Sequence, residues 1–178
     1  MILFTPKSLL RNPACVSSLD ELSEGFFQPV LIDPHNPAPA KAERILLCCG
    51  KVYYDLVAER KRLGRDDVAI VRLEQPYPLP MGDLAKVLEL YGQDTPLVWV
   101  QEEPANMGVW PFLRYHFGEN LLGRTLHGAC RPAAASPATG SAASHKLELS
   151  HLLARVFGKR EDFALLHRPW NENEERKN

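Results

Sequence analysis

The chain has 178 residues, 45% of them hydrophobic, and sets 21 Lys and Arg against 22 Asp and Glu for a formal net charge of -1. One ordinary core fits in that length, and the balanced charge gives no pull toward nucleic acid or an anionic membrane. No apolar run reaches the roughly 20 residues of a membrane span, and the opening MILFTPKSLL lacks the basic start of a signal peptide.

In chain order, MILF reads as a short strand, and TPKSLLRNP as a helix capped by Thr5, begun at Pro6 and ended by Asn12-Pro13. Ser18 and Glu21 have capping-box spacing for one or two further turns. The proline-rich stretch from Asp33 to Glu43 reads as a linker that cannot sit inside a sheet. Residues 1–43 are therefore predicted to be an arm leading into a body over 44–158, with a tail over 159–178.

Within the body, RILLCC (Arg44–Cys49) reads as a buried strand. KVYYDLVAERKRLG follows as a helix with Val52, Leu56 and Leu63 in phase and Gly64 as its stop. Asp67–Leu73 is a second strand, EQPYPLP an extended loop, and MGDLAKVLELYG a helix presenting Leu84, Val87, Leu88 and Tyr91. Pro96–Gln101 is a third strand, the stretch after Gly108 a helix, and Arg124–Cys130 a weaker fourth strand. RPAAASPATGSAA is a small-residue loop before the closing helix SHKLELSHLLARVFG. Strands alternating with helices argue for a three-layer α/β/α sandwich on a mostly parallel, roughly five-stranded sheet. The last twenty residues end polar, although Phe163, Leu165, Leu166 and Trp170 could dock on the body.

The chemistry is sparse. No G-x-x-x-x-G-K-S/T loop, G-x-G-x-x-G, G-x-S-x-G elbow or H-E-x-x-H occurs. Four cysteines form no C-x-x-C, and six histidines form no metal-ligand spacing, so reduced thiols and no metal are expected. Glu102 and Glu103 end the third strand, where alternation sends neighbours to opposite faces, so at most one could line a site. A structural corner is the alternative, with one glutamate paired to Arg131 or Arg72 and Asn106 capping the next helix. Lys51 stands after a strand at a helix N-terminus, a place for an anion, on a loop with a single glycine. Tyr53 and Tyr54 read as packing or interface residues. Arg131, Ser136 and Thr139 lie on a backbone of small residues suited to close approach by a ligand or another chain. Lys51, Glu103, Asn106, Arg131 and Ser136 together form the candidate ligand or interface cleft; no residue is assigned to catalysis.

Six stretches, TPKSLLRNP, SSLDEL, CCGKVYYDL, DVAIVRLEQPYPLP, WVQEEPANMGVW and RPAAASPATG, resemble in order the C-terminal region of the 2-oxoglutarate dehydrogenase E1 component. The 2-oxoadipate dehydrogenase E1 is similar enough to stand as an alternative. The resemblance implies a transketolase C-terminal-like domain that helps build a homodimer and packs on upstream catalytic domains. It implies an enzyme that decarboxylates a 2-oxo acid with thiamine diphosphate and magnesium. The succinyl group passes to an E2 succinyltransferase lipoyl group, in the tricarboxylic acid cycle of a bacterial cytoplasm or a mitochondrial matrix. The family's G-D-G…N cofactor motif does not occur here, so cofactor and metal are expected on domains outside this chain, which alone is not catalytic. A regulatory module binding nucleotide or acyl-CoA is a second reading, and a free-standing hydrolase built from scattered Ser, His and Glu a third. ATGSAASHKLEL departs from the family by carrying small residues after its glycine.

Overall fold

Four apolar runs become the four central strands of one sheet. The structure, a computed structural model, describes residue 2 and residues 4–158. The predicted docking of Phe163, Leu165, Leu166 and Trp170 lies outside the described residues.

The strands are β1 (Val30–Ile32), β2 (Arg44–Cys48), β3 (Val68–Leu73), β4 (Leu97–Pro104), β5 (Asn120–Leu121) and β6 (Arg124–Arg131). They lie in the order β1-β3-β2-β4-β6-β5. β3, β2, β4 and β6 are parallel, whereas β1 and β5 pair antiparallel at the two edges. The sheet is thus mixed and six-stranded rather than five-stranded, because two short segments without apolar periodicity cover its edges. One of them, β1, comes from the stretch read as an arm.

The helices are α1 (Leu19–Ser23), α2 (Val52–Leu63), α3 (Met81–Leu88), α4 (Trp110–Phe117) and α5 (Ala142–Phe157). One face of the sheet packs Ile45, Leu47, Val71 and Trp99 against Leu84 and Leu88 of α3 and Leu113 of α4. The other packs Leu46, Ile70, Val98 and Val100 against Val52 and Leu56 of α2 and Leu152 and Val156 of α5. This is the expected α/β sandwich, and each side chain so buried contributes about 1.5–3 kcal/mol.

Two helix details differ from expectation. TPKSLLRNP forms only a 3-10 turn over Lys7–Leu9, without a side-chain cap, because no layer among the described residues buries it. In α2 the third in-phase position is Arg60, buried at 6%, while Leu63 is 41% exposed. Arg60 reaches Asp33 at 2.6 Å and Asn36 at 2.8 Å. Asp33 also accepts from the Tyr53 hydroxyl at 2.5 Å, and Asn36 pairs both ways with the Ile70 backbone at 2.7 and 2.8 Å. The proline-rich stretch is therefore latched to the sheet edge rather than running free of it. The Ser18–Glu21 capping box forms as expected.

Arginines close two helix ends, Arg44 and Arg124 buried and Arg65 only partly so. Arg44 donates to the carbonyls of Val156 and Gly158 at 2.9 and 2.8 Å, and Arg65 to that of Phe157 at 2.5 Å. Arg124 donates to Leu88 and Tyr91 at 2.8 Å each, and to Gly92 and Thr95. Cations at carbonyl-rich helix C-termini satisfy acceptors that the helix leaves open.

Candidate functional site

Because β3, β2, β4 and β6 are parallel, their carboxyl ends share one edge, where open α/β sheets place ligands. Gly50 leaves β2 with φ +67°, a left-handed turn that starts α2 directly at Lys51. Lys51 is not a free anion site: its ammonium meets Glu102 Oε2 at 2.6 Å and Asp55 Oδ2 at 3.5 Å. Burial opposes its charge, but these two carboxylates outweigh that and hold its pKa above the ordinary value. Glu102 thus pairs with Lys51, not with an arginine. Arg72 pairs with Glu74 at 2.8 Å and lies over the Tyr53 ring at 4.4 Å. The Glu103 carboxylate has no hydrogen bond or ion pair among the described residues.

Strict alternation does not decide where these glutamates point, since the β4–β6 register shifts between Val100 and Pro104. Gln101, which no motif in the sequence singles out, shapes that corner. It is 1% exposed. Its Oε1 accepts from Trp99 Nε1 and from the Trp110 backbone, each at 2.9 Å, and so serves the start of α4. Its Nε2 donates to the carbonyls of Met107 at 2.7 Å and Pro104 at 3.1 Å. Gly108, at φ +69°, must be glycine here, because a Cβ would stand 2.9 Å from the Gln101 amide. A lone amide closing an apolar strand, seven residues before a glycine, was the signal available.

Asn106 does not cap α4. Its amide pairs with the Ala134 backbone, donating to the carbonyl at 2.9 Å and accepting from the N–H at 3.1 Å. That double bond fixes the small-residue loop after β6. The loop closes a pocket of about 280 Å³ lined by Arg131, Ser136, Thr139, Glu148 and the Pro132–Ala134 turn. Arg131 Nε donates to the Glu102 carbonyl. Its Nη1 reaches Thr139 Oγ1 and Glu148 Oε2, each at 2.6 Å, and its Nη2 the Pro137 carbonyl at 2.8 Å. Burial alone would raise the Glu148 pKa, but Arg131 and Thr139 hydrogen bonds bring it below the ordinary value. Ser136 only turns back on the Ala138 carbonyl at 2.9 Å. Of the five expected cleft residues, Arg131 and Ser136 line the pocket and Asn106 holds its wall. Lys51 and Glu103 are not among its lining residues.

Two thiols near this edge, Cys49 and Cys130, are poor nucleophiles. Burial, then Glu103, Glu74 and Glu102, pushes Cys49 up to about 11, and burial takes Cys130 to about 12. Among the described residues no group of His, Cys, Asp or Glu could hold a metal ion. What this edge offers chemically is a fixed guanidinium in a small pocket, not an acid/base pair.

Residues 16–157 match the family described as 2-oxoglutarate dehydrogenase C-terminal. The chain is 43% identical over 166 residues to the 2-oxoglutarate dehydrogenase E1 component of Cupriavidus necator, covering 93% of this chain and 18% of that protein. It is 44% identical over 155 residues to the Haemophilus influenzae E1 component, covering 86% and 16%. It is 38% identical over 159 residues to the 2-oxoglutarate dehydrogenase E1/E2 component of Corynebacterium glutamicum, covering 88% and 13%. The chain thus spans less than a fifth of the length of each of these relatives.

Proposed function

The chain belongs to the 2-oxoglutarate dehydrogenase C-terminal family, and from that premise we propose that it is the C-terminal assembly segment of a 2-oxoglutarate dehydrogenase E1 component. In this reading residues 44–158 are a transketolase C-terminal-like body and residues 1–43 the connection to catalytic domains outside this chain. Its partners are those domains, a homodimer mate and the E2 succinyltransferase of the complex. All three quoted relatives carry 2-oxoglutarate in their names, which favours that substrate over 2-oxoadipate. They are bacterial, which favours a bacterial cytoplasm.

The observation that carries this reading is the arm. Phe4 is 97% exposed, Leu19 83%, Phe26 78% and Val16 76%, with Leu10 and Leu22 also bare. A chain of this size that folded for solitary life would not leave such a run uncovered. Surface made to lie against the remainder of a longer enzyme would look like this.

The chemistry of the whole enzyme does not fit the residues described here. Thiamine diphosphate with magnesium needs a metal–diphosphate loop, whereas Gly82-Asp83-Leu84 lies in the first turn of α3 and Asp83 bonds Lys86 at 3.3 Å. When bound, the cofactor would supply the carbanion chemistry of decarboxylation, and no step of it is assigned to this chain. The test is direct: supplied with thiamine diphosphate, magnesium and 2-oxoglutarate, the isolated chain releases no carbon dioxide above background. Turnover would sink the reading.

The Arg131 pocket favours a second reading, a ligand-binding regulatory module. AMP or acetyl-CoA at millimolar concentration then raises the melting temperature of the chain, and no shift for either counts against it.

A further inference from the structure

We infer that Glu148 is an internal competitor at the Arg131 pocket, and that a compact dianion, a phosphate group or a dicarboxylate, binds there by displacing it. The inference rests on the ligand-binding reading of that pocket. Arg131 is oriented by backbone acceptors, the Glu102 carbonyl at Nε and the Pro137 carbonyl at Nη2. Those bonds survive any exchange at the other side. Nη1 faces two side chains, Thr139 and Glu148, each at 2.6 Å, and Thr139 bonds Glu148 in turn at 2.7 Å.

The two charges differ in how firmly they are held. The Arg131 side chain is 10% exposed and the Glu148 side chain 28%. Glu148 stands on α5, a different element from the strand that carries Arg131, and its carboxylate can turn to solvent by rotation about its own side-chain bonds. Nη1 of the guanidinium stays behind without its carboxylate, beside a hydroxyl that can donate to the newcomer. The walls need no ordering, because Asn106 already pins Ala134 through two hydrogen bonds. A volume of about 280 Å³ is ample for a phosphate group or a small dicarboxylate. A free dianion brings twice the charge of Glu148 but competes with a tethered carboxylate, so occupancy rises with anion concentration.

Calorimetric titration of the 178-residue chain with inorganic phosphate and, separately, succinate tests this. Glu148→Gln keeps the shape and removes the charge, and is expected to tighten binding of at least one anion about tenfold. The anion that gains identifies the source of the charge. Arg131→Lys in the Glu148→Gln background keeps a cation but loses the fork, and is expected to reverse most of that gain. If wild type and Glu148→Gln bind equally well, the pocket stands and the competitor is overturned. Reversal failing in the double variant also overturns it. If neither anion binds either protein, the ligand-binding reading falls with it.

Discussion

The arm and the body are both rich in large apolar side chains, yet they end in opposite states. In the body Ile45, Leu46, Val98 and Trp99 are fully buried, sandwiched between helices on both faces of the sheet. In the arm Phe4, Leu19 and Phe26 stand almost bare, in a stretch whose only helical pieces are a 3-10 turn over Lys7–Leu9 and the five-residue α1 among the described residues up to β1. Apolar composition does not bury a side chain; a second layer does. Where the second layer belongs to the same chain, the segment is settled by itself. Where no such layer lies among the described residues, local devices such as the Ser18–Glu21 capping box form without any burial to consolidate them.

Between these regions runs the Asp33–Asn36 latch, and breaking it gives the largest expected effect. Asp33→Ala leaves the Arg60 guanidinium buried without its carboxylate, which costs about 3–5 kcal/mol in denaturant unfolding. The same pair gives a pH dependence. Burial alone would raise the Asp33 pKa, but hydrogen bonds from Tyr53 and Arg60 outweigh it and set the native value below the ordinary 3.8. Its stabilisation is therefore present above the unfolded value and is lost as pH falls through the native one. The stability gap between wild type and Asp33→Asn narrows accordingly between neutral pH and strong acid.

Gln101→Leu removes the acceptor of Trp99 Nε1 and of the Trp110 N–H, and is expected to cost about 3 kcal/mol while loosening the start of α4. Asn106→Ala costs about 1 kcal/mol, and its sharper mark is faster hydrogen exchange at the Ala134 amide. Smallest is the effect in the arm: Phe26→Ser shifts unfolding by about 0.5 kcal/mol or less, although it reduces binding of an apolar dye. A Phe26→Ser cost as large as that of a body substitution would erase the contrast between the two regions.

The same contrast explains what was legible in the sequence. Long apolar runs bounded by glycines placed β2, β3, β4, α2 and α5 to within a few residues, because there periodicity and burial agree. The edge strands β1 and β5 are three and two residues long and carry no period to read. Arg44, Arg60 and Arg124 are buried against expectation, since what holds them is carbonyls and carboxylates brought in from far along the chain. At the candidate site, the small residues around Arg131 and Ser136 mark the loop that lines the pocket. Gln101 was missed and Asn106 misassigned, because each acts through tertiary hydrogen bonds that spacing does not reveal.

As one piece of a larger assembly, the chain would use its arm as the surface that joins it. The direct measurement mixes the chain with the Cupriavidus necator E1 relative lacking its matching C-terminal segment. Co-elution and 2-oxoglutarate decarboxylation are then followed. Neither part is then active alone, the mixture co-elutes and turns over, and Phe4, Leu19 and Phe26 changed together to Ser abolish both. Turnover by the chain alone, or a chain that stays monomeric beside the truncated enzyme, would contradict this role.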